Sequence, residues 1–302
     1  MGTVANFLTS LFNTARTAGE YGQGISFGSG RDPWGIRGWT HGVKRLLPRP
    51  VNPSDGAEAS SDQVVGPPWD MKEVLEALML PPFELMSSCP LFELSVKTAF
   101  LLAAASARRR SAIHALSILP GHMRFEPHGV RLVPDPSFLA KNQTADFLPA
   151  PIFLAKIDSF SSISEDKVWC PVRALRHYLR RTAPLRGSCT ALFIVSRRPF
   201  GRASRDTISR WIVNAIGLSS SGSTGPRPRA HQVRAMSTSM ALYKGVPLEE
   251  ILQAAAWKSS NTFISSYLRD VLCLETWMAS AFVSAPGVDA GGHMSSSVPT
   301  PR

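Results

Sequence analysis

Helical periodicity dominates the chain from residue 66 to residue 285, and one interval of extended sequence interrupts it. "WDMKEVLEALMLPP" and "LFELSVKTAFLLAAASARRR" predict the first two helices, and Asp70 is a suitable N-cap for the first. "MRFEPHGVRLVPDP" predicts two short strands around a Pro-His-Gly turn, and "FLPAPIFLAK" predicts a third extended piece. The pattern therefore predicts an α+β fold, mainly α-helical, with a small antiparallel β-sheet. The apolar side of the first helix is expected to hold Val74, Leu75, Leu78 and Leu80.

The rest of this region is again mostly helical. "CPVRALRHYLRRTAP" predicts a helix that closes at Pro184, and the apolar "ALFIV" after it is either a short strand or a buried segment. "SRDTISRWIVNAIG" predicts another helix, followed by a Gly/Ser/Pro loop at residues 217–228. Three more helices are expected in "RAHQVRAMSTSMALYKG", "PLEEILQAAAW" and "SNTFISSYLRDV".

The two ends of the chain lack this periodicity. Residues 1–65 are rich in Gly, Ser, Pro and Asn and end in "NPSDGAEASSDQVVGPP", which predicts a poorly ordered segment and linker. Residues 286–302 have no apolar period and predict a disordered tail. We therefore expect one folded domain at residues 66–285.

Positive charge is concentrated in that central region. The chain of 302 residues has a formal net charge of +11 and a sequence pI near 10.0. Residues 66–285 hold 26 of its 33 Lys and Arg residues and 16 of its 22 Asp and Glu residues. Such an excess favours an acidic polymer or an anionic surface as partner, although it can also serve solubility alone.

Motifs typical of a metal site, a disulfide scaffold or a membrane span are not apparent. The four cysteines, at positions 89, 170, 189 and 273, lie far apart, with no C-x-x-C pair and no His at ligand spacing beside them. They are expected to be reduced, partly buried thiols of an intracellular protein. The longest apolar run, around Ala99 to Ala105, is too short to cross a bilayer. We expect no metal, no cofactor and no membrane partner.

Basic side chains suited to an anion occur at three places. His231 and Arg234 are three residues apart in "RAHQVRAMSTSMA", so they project from one face of a helix. The arginines at 108–110 follow eight nearly uncharged positions, so at least one guanidinium must emerge beside the core, where its planar fork suits phosphate oxygens. Lys141 lies in a Pro-rich loop after the predicted hairpin. Each of these also has a plain interpretation as a solvated surface cation.

Two aromatic residues stand ten positions apart in "AAAWKSSNTFISSYLRD". Trp257 closes an Ala-rich helix and Tyr267 lies in the next helix, where an aromatic residue is usually part of the core. The indole N–H can also donate a hydrogen bond to an anion. The phenol can remain available for chemistry, because the residues after Tyr267 supply apolar contacts.

The order and spacing of these residues resemble the catalytic domain of tyrosine recombinases. Arg, Lys, His-x-x-Arg, a Trp twenty-six residues after the His, and then Tyr occur in that order. The wording of "LSVKTAFLLAAASARRRSAIHALSI", "DPSFLAK" and "AAWKSSNTFISSYLRDV" resembles the recombinase of DIRS-type retrotransposons of animal genomes. The resemblance covers roughly residues 66–275 and implies the catalytic core fold of that family.

The resemblance implies a role for each of these residues. Arg109 and Arg234 correspond to the arginines that bind the non-bridging phosphate oxygens, and Trp257 adds an indole hydrogen bond. His231 accepts the proton of the nucleophile, and Tyr267 is the nucleophile. Lys141 corresponds to the β-hairpin lysine that protonates the departing 5′ oxygen. The implied product is a 3′-phosphotyrosine link, formed without ATP or an obligatory Mg²⁺ ion.

The resemblance also implies biological context. The expected partner is double-stranded DNA in the nucleus, bound by a homo-oligomer, a tetramer on DNA, during site-specific recombination and integration of a mobile element. Family enzymes pass a C-terminal segment to a neighbouring protomer, and the apolar residues 271–285 suit that role.

Three departures from the family pattern leave alternatives open. Ala112 stands where an acidic residue usually supports the first arginine, and the Trp-to-Tyr interval is one longer than in most bacterial relatives. Residues 1–65 are not expected to form the N-terminal DNA-clamping domain of the family, which has about a hundred residues and is helical. The alternatives are a catalytically inactive DNA-binding relic or fragment of such a recombinase, a topoisomerase with the same chemistry, and a purely structural protein.

Overall fold

Eight α-helices and a three-stranded sheet occupy the part of the chain described by the computed structural model, namely residues 69–140, 151–157, 165–219, 227–243 and 245–268. The predicted segments 1–65 and 286–302 lie outside these residues. In chain order, the elements are α1 (Met71–Ala77), α2 (Leu91–Ser106), α3 (Arg110–His114), β1 (Met123–Glu126), β2 (Gly129–Leu132), β3 (Ile152–Ala155), a 3-10 helix (Glu165–Trp169), α4 (Pro171–Thr182), α5 (Arg205–Ile216), α6 (His231–Tyr243), α7 (Leu248–Ala255) and α8 (Ser260–Ser266). None of the described helices has both the length and the apolar character needed to cross a membrane.

Helix α2 is the centre of the fold. Its sequence is apolar or small on every side, and it is buried from Leu94 to Ser106. It packs against α4, α5 and α6 and also contacts β3. Its one lysine, Lys97, is fully buried and donates to the Leu78 carbonyl oxygen at 2.7 Å and to the Glu84 carboxylate. The other elements are therefore arranged around one central helix.

The predicted sheet is confirmed. β1 and β2 form an antiparallel hairpin whose last pair is Glu126 and Gly129, and β3 pairs with β2 in antiparallel register. Gly129 is required at this place, because a Cβ atom there would lie 2.3 Å from the Leu154 carbonyl oxygen of β3. The chain thus has the predicted α+β architecture, mainly helical with a small antiparallel sheet.

Two helix ends differ from expectation. Asp70 caps α1 as predicted and accepts a hydrogen bond from the Lys72 amide at 2.7 Å. The helix stops at Ala77, however, so Leu80 falls in the following turn and is 61% exposed; its predicted place on the buried side was wrong. Helix α2 ends at Ser106 because Ala107 adopts a left-handed conformation with φ of 50°. The arginine run therefore lies outside α2, although the sequence placed it at the end of that helix.

The apolar segment 191–195 is buried without being a regular strand. It forms only single bridges, one between Ser117 and Ala191 and one between Ile194 and Arg202, within the described residues. The hydroxyl of Tyr178, on α4, replaces a strand partner: it donates to the Ile194 carbonyl oxygen at 3.2 Å and accepts from the Ile194 amide at 3.0 Å. Tyr178 is completely buried, and burial raises its pKa to about 12 despite that hydrogen bond.

The described cysteines are buried or half-buried, as predicted. Cys89, Cys170 and Cys189 are free thiols, the first two of them buried. Burial raises the pKa of the Cys89 thiol even though Arg181 lies beside it. Cys273 lies outside the described residues.

Tyr178→Phe is expected to lower the free energy of unfolding by about 1–3 kcal/mol, because both polar groups of the Ile194 peptide then lose their partner inside the core. Urea unfolding followed by circular dichroism measures this change. Tyr267→Phe is the matched control, since it removes the same hydroxyl from a half-buried ring. Equal stability of the Tyr178→Phe variant and the wild type would contradict the assigned role of the hydroxyl.

Candidate active site

A basic cleft of about 950 Å³ lies where α3, α5 and the start of α6 meet. Asp206 is the only acidic side chain among the described residues that line it. Phe138, Leu139 and Tyr267 add apolar and aromatic surface. An excess of guanidinium groups of this kind, gathered in a concave site, suits a polyanion. The basic lining residues are Arg108, Arg109, Arg110, Arg205, Arg229, His231 and Arg234.

The left-handed turn at Ala107 delivers the arginine run to the cleft. Arg108 follows that turn and is only 7% exposed, and burial lowers its pKa to about 10. Arg109 is half-buried and occupies the N-cap position of α3. Arg110 is exposed and donates to Asp206 at 3.3 Å and to Ser209 at 3.2 Å on α5. The expectation that one guanidinium of the run emerges beside the core is met by Arg108.

Arg234 is the most deeply placed cation that the sequence singled out. It lies one turn into α6, is 4% exposed, and donates from one terminal nitrogen to the Ala255 carbonyl oxygen at 2.7 Å. Its Nε atom has no hydrogen-bond partner among the described residues, and none of their carboxylates lies within ion-pair distance. Burial, followed by the charges of Arg109 and Arg108, lowers its pKa to about 9, against the opposing effect of Tyr267. Arg234 is therefore a charged group whose surroundings do not neutralise it.

Trp257 and Tyr267 form the aromatic wall beside Arg234. The guanidinium carbon lies 4.1 Å from the centre of the Trp257 ring and 5.2 Å from that of Tyr267. The two rings are 4.7 Å apart, and Trp257 also packs against Phe263 at 5.3 Å. Trp257 is 4% exposed, and its Nε1 atom has no hydrogen-bond partner among the described residues. These contacts join α6, α7 and α8 at one place.

The backbone around the aromatic wall differs slightly from the predicted helices. Ala256, with φ of 52°, ends α7 in a left-handed conformation, and the Trp257 amide then donates to the Leu252 carbonyl oxygen at 2.9 Å. Tyr267 is the residue after α8 and not a member of it; its amide donates to the Phe263 carbonyl oxygen at 2.9 Å. Tyr267 thus lies at a helix end, where its half-buried ring reaches the cleft.

Of the remaining predicted site residues, His231 lies in the cleft, and Lys141 is not among the described residues. His231 is the first residue of α6, is exposed, and lines the same cleft as Arg234, as the three-residue spacing predicted. The structure therefore brings Arg109, His231, Arg234 and Tyr267 to one cleft, with Trp257 against the last two. Lys141 and the segment 271–285 lie outside the described residues. Leu139, two positions before that lysine, lines the cleft.

Sequence reasoning missed several cleft residues. Arg205 and Asp206 stand at the start of the predicted helix "SRDTISR", and Arg229 precedes the His-x-x-Arg motif by two residues. Their position in the first turn of a predicted helix was a signal in the sequence that could have marked Arg205 and Asp206 as candidates. Arg108 was considered only as a member of the run, and its deeper burial follows from the turn at Ala107, which no pattern in the sequence indicated. Within the described residues, no group of three or more His, Cys, Asp or Glu side chains is placed to hold a metal ion.

Comparisons with known proteins give structural likenesses only. No family model matches the sequence, and no curated protein matches it. A lambda integrase dimer bound to a COC′ core site is 16% identical with a TM-score of 0.38, over 66% of this chain and 45% of the integrase chain. XerA recombinase is 16% identical with a TM-score of 0.43, over 81% of this chain and 72% of its own. A lambda integrase tetramer bound to a Holliday junction is 12% identical with a TM-score of 0.40, over 87% and 77%.

The chain thus spans less than half the length of the first of these proteins.

Arg234→Met is expected to leave the free energy of unfolding unchanged or to raise it, because it removes a buried charge that no described carboxylate compensates and that makes only one hydrogen bond among the described residues. Arg186→Met is the matched control. Arg186 is 8% exposed and donates to Ala191, Thr182 and Leu192, so its loss is expected to cost about 1–3 kcal/mol or more. Urea unfolding compares the two variants. A similar loss of stability in both would mean that Arg234 serves the fold.

Proposed function

We propose that this chain breaks and rejoins DNA strands through a covalent link between Tyr267 and a 3′ phosphate. The observation that carries the proposal is the environment of Arg234, a buried guanidinium that faces the rings of Trp257 and Tyr267 inside a cleft of six arginines. A phosphodiester that enters the cleft supplies the negative charge that the described surroundings of Arg234 lack. The same charge brings the phosphorus atom to the phenol that is placed to attack it.

The cleft suits the electrostatic needs of phosphoryl transfer. A phosphodiester resists attack because its own charge repels nucleophiles, and further charge develops on its non-bridging oxygens in the transition state. Arg109 and Arg234 are the proposed ligands of those oxygens, and both line the cleft. Guanidinium groups held in place before the reaction stabilise the developing charge without reorganisation. The arginines therefore supply both positioning and stabilisation.

The proposed reaction is a transesterification in two mirror-image steps. The phenol oxygen of Tyr267 attacks phosphorus while its proton passes to His231, which lines the same cleft. The bond from phosphorus to the 5′ oxygen breaks, and Lys141 protonates the leaving 5′ oxygen. The phosphotyrosine bond conserves the energy of the phosphodiester, so the 5′ hydroxyl of a second DNA end can attack it and release Tyr267.

Two functions are proposed for Trp257. Its ring packs between Arg234 and Phe263 and contacts Tyr267, so it fixes the distance between the anion ligand and the nucleophile. Its Nε1–H, which has no partner among the described residues, is the proposed third donor to the phosphate. Packing and donation can be separated by substitution, because phenylalanine preserves the first and histidine the second.

The proposed biological setting follows from the resemblance in sequence. The motifs quoted above favour a recombinase of a DIRS-type retrotransposon, acting in the nucleus on double-stranded DNA during integration of the element. A tetramer on DNA, with residues 271–285 passed to a neighbouring protomer, is part of the same proposal. The net charge of +11 suits the DNA partner.

The wild-type protein is expected to form a covalent adduct with a nicked duplex whose short released strand diffuses away. The duplex carries randomised sequence around the nick and a 5′ label on the strand that keeps its 3′ phosphate. A denaturing gel detects the labelled protein. Tyr267→Phe is expected to form no adduct, whereas the same change at Tyr243, which is not a lining residue of the cleft, preserves it.

The outcomes separate the alternative functions. An adduct that persists in Tyr267→Phe assigns the nucleophile to another residue. Duplex binding without an adduct in the wild type indicates a DNA-binding relic, and a salt titration cannot make this distinction because phosphate contacts give both forms the same slope. Relaxation of supercoiled DNA by a protein that never joins two duplexes indicates a topoisomerase.

Trp257→Phe is expected to slow adduct formation by about 10²-fold, because the aromatic packing remains and one donor to the phosphate is lost. Trp257→His retains a ring N–H and is expected to lose less. Initial rates of adduct formation on the nicked duplex measure both effects. A Phe variant as fast as the wild type would limit Trp257 to packing.

A further inference from the structure

A second basic cavity lies on α4, away from the residues of the cleft. It measures about 190 Å³ and is lined by cations from three parts of the chain: α4, the 3-10 helix and the residue after β3. It shares no lining residue with the cleft, and no lining residue is acidic among those described. Its basic residues are Lys156, Lys167, Arg173, Arg176, His177 and Arg180.

The contribution of α4 is one continuous basic face. Arg173, Arg176, His177 and Arg180 are spaced by three, four and seven positions, which places them on one side of the helix. Seven residues of helix rise about 10 Å, and the phosphates of one DNA strand rise about 3.4 Å each along the axis. The basic face is thus long enough to follow about three successive phosphates.

Two of these arginines are held in place from behind. The Glu84 carboxylate accepts both terminal nitrogens of Arg173, at 3.3 and 3.2 Å. The same carboxylate also accepts from the buried Lys97, so its charge is shared between two cations. Partial burial acts to raise the pKa of Glu84, but the hydrogen bonds from Arg173 and Lys97 together outweigh it. The pKa of Glu84 is therefore below its usual value, and the carboxylate stays ionised. The guanidinium of Arg176 lies 4.3 Å over the Phe125 ring of β1.

His177 adds a neutral hydrogen-bonding group to this cluster. Its Nδ1 atom is buried and has no partner among the described residues. Burial, and then the charges of Arg173 and Arg180, lower the pKa of the imidazole. A neutral imidazole inside a row of arginines can donate an N–H to a phosphate oxygen and adds no repulsion to the neighbouring cations.

The chemistry of the cavity suits a phosphodiester backbone. Its volume is below the roughly 300–1,000 Å³ of small-molecule and cofactor sites, so it suits a phosphate group and not a nucleotide cofactor. No Phe, Tyr or Trp side chain lines it among the described residues, so it lacks the large aromatic surfaces on which unpaired bases usually stack. Contacts confined to phosphate are those that position a duplex without reading its sequence.

We propose that this basic face of α4 is a second DNA-binding site, which holds the phosphate backbone of a duplex outside the cleft. It shares with the proposed function the premise that DNA is the partner. It does not require the cleft to be catalytic.

The test compares two triple variants that remove the same charge. Lys167→Gln, Arg176→Gln and Arg180→Gln neutralise the exposed cations of the site, and Arg197→Gln, Arg198→Gln and Arg210→Gln neutralise exposed arginines that line neither cavity. Fluorescence anisotropy of a labelled duplex, repeated over a range of salt concentrations, gives the slope of log affinity against log salt. The α4 variant is expected to reduce the magnitude of the slope by about 2–3, since each lost phosphate contact removes roughly 0.9. The control variant is expected to reduce it by less than 1.

Equal slopes in the two triple variants would overturn the inference, because only diffuse charge would then be acting. Weaker binding to anionic lipid vesicles with unchanged binding to the duplex would overturn it as well. Circular dichroism melting of both variants verifies that they fold; the substituted side chains are exposed, so little change is expected.

Adduct formation on the nicked duplex at low salt keeps this inference apart from the proposed function. The α4 variant is expected to need more DNA than the wild type to reach its maximal rate of adduct formation, because each change removes a proposed phosphate contact. Its rate at saturating DNA is expected to equal that of the wild type, because none of the three changes lies in the cleft. A reduced slope with no adduct in any protein would support the second site and contradict the proposed chemistry. A normal adduct with an unchanged slope would support the proposed chemistry and contradict the second site.

Discussion

The arrangement of the cleft depends on the burial of Arg234 against the rings of Trp257 and Tyr267. A guanidinium that is 4% exposed loses most of its hydration, and aromatic faces return only part of that energy. The bond to the Ala255 carbonyl oxygen fixes one terminal nitrogen to the end of α7. Helices α6, α7 and α8 therefore meet around a charge that is stable only because they fix it there. The proposed phosphodiester ligand would supply the negative charge that the described residues around Arg234 do not provide.

Lys97 shows how the same chain buries a cation for stability. It is completely buried in α2, but the Leu78 carbonyl oxygen and the Glu84 carboxylate both accept from it. The Glu84 carboxylate in turn holds Arg173, so charge and hydrogen bonds are satisfied together. A buried ion pair of this kind tolerates no loss of one partner. The contrast between Lys97 and Arg234 distinguishes a structural cation from one available to a ligand.

Features set by local chemistry could be predicted from the sequence. The β1–β2 hairpin follows from turn residues flanked by alternating side chains, and the His-x-x-Arg pair follows from helical spacing. Features set by tertiary packing could not be predicted from the sequence. The segment 191–195 avoids a regular ladder because a hydroxyl from α4, distant in sequence, satisfies the Ile194 peptide. Leu80 was misplaced because α1 ends earlier than its apolar pattern suggests.

The least predictable features of the site are two alanines in left-handed conformation. Ala107 and Ala256 have φ of 50° and 52°, a region that costs an ordinary L-residue about 1–2 kcal/mol and that usually selects glycine. Neither position carries a sequence signal, yet the first ends α2 before the arginine run and the second ends α7 before Trp257. Two of the four described non-glycine residues with positive φ thus stand directly before Arg108, which lines the cleft, and Trp257, which packs against Arg234. Such strain persists only where surrounding packing enforces it, and both alanines are buried.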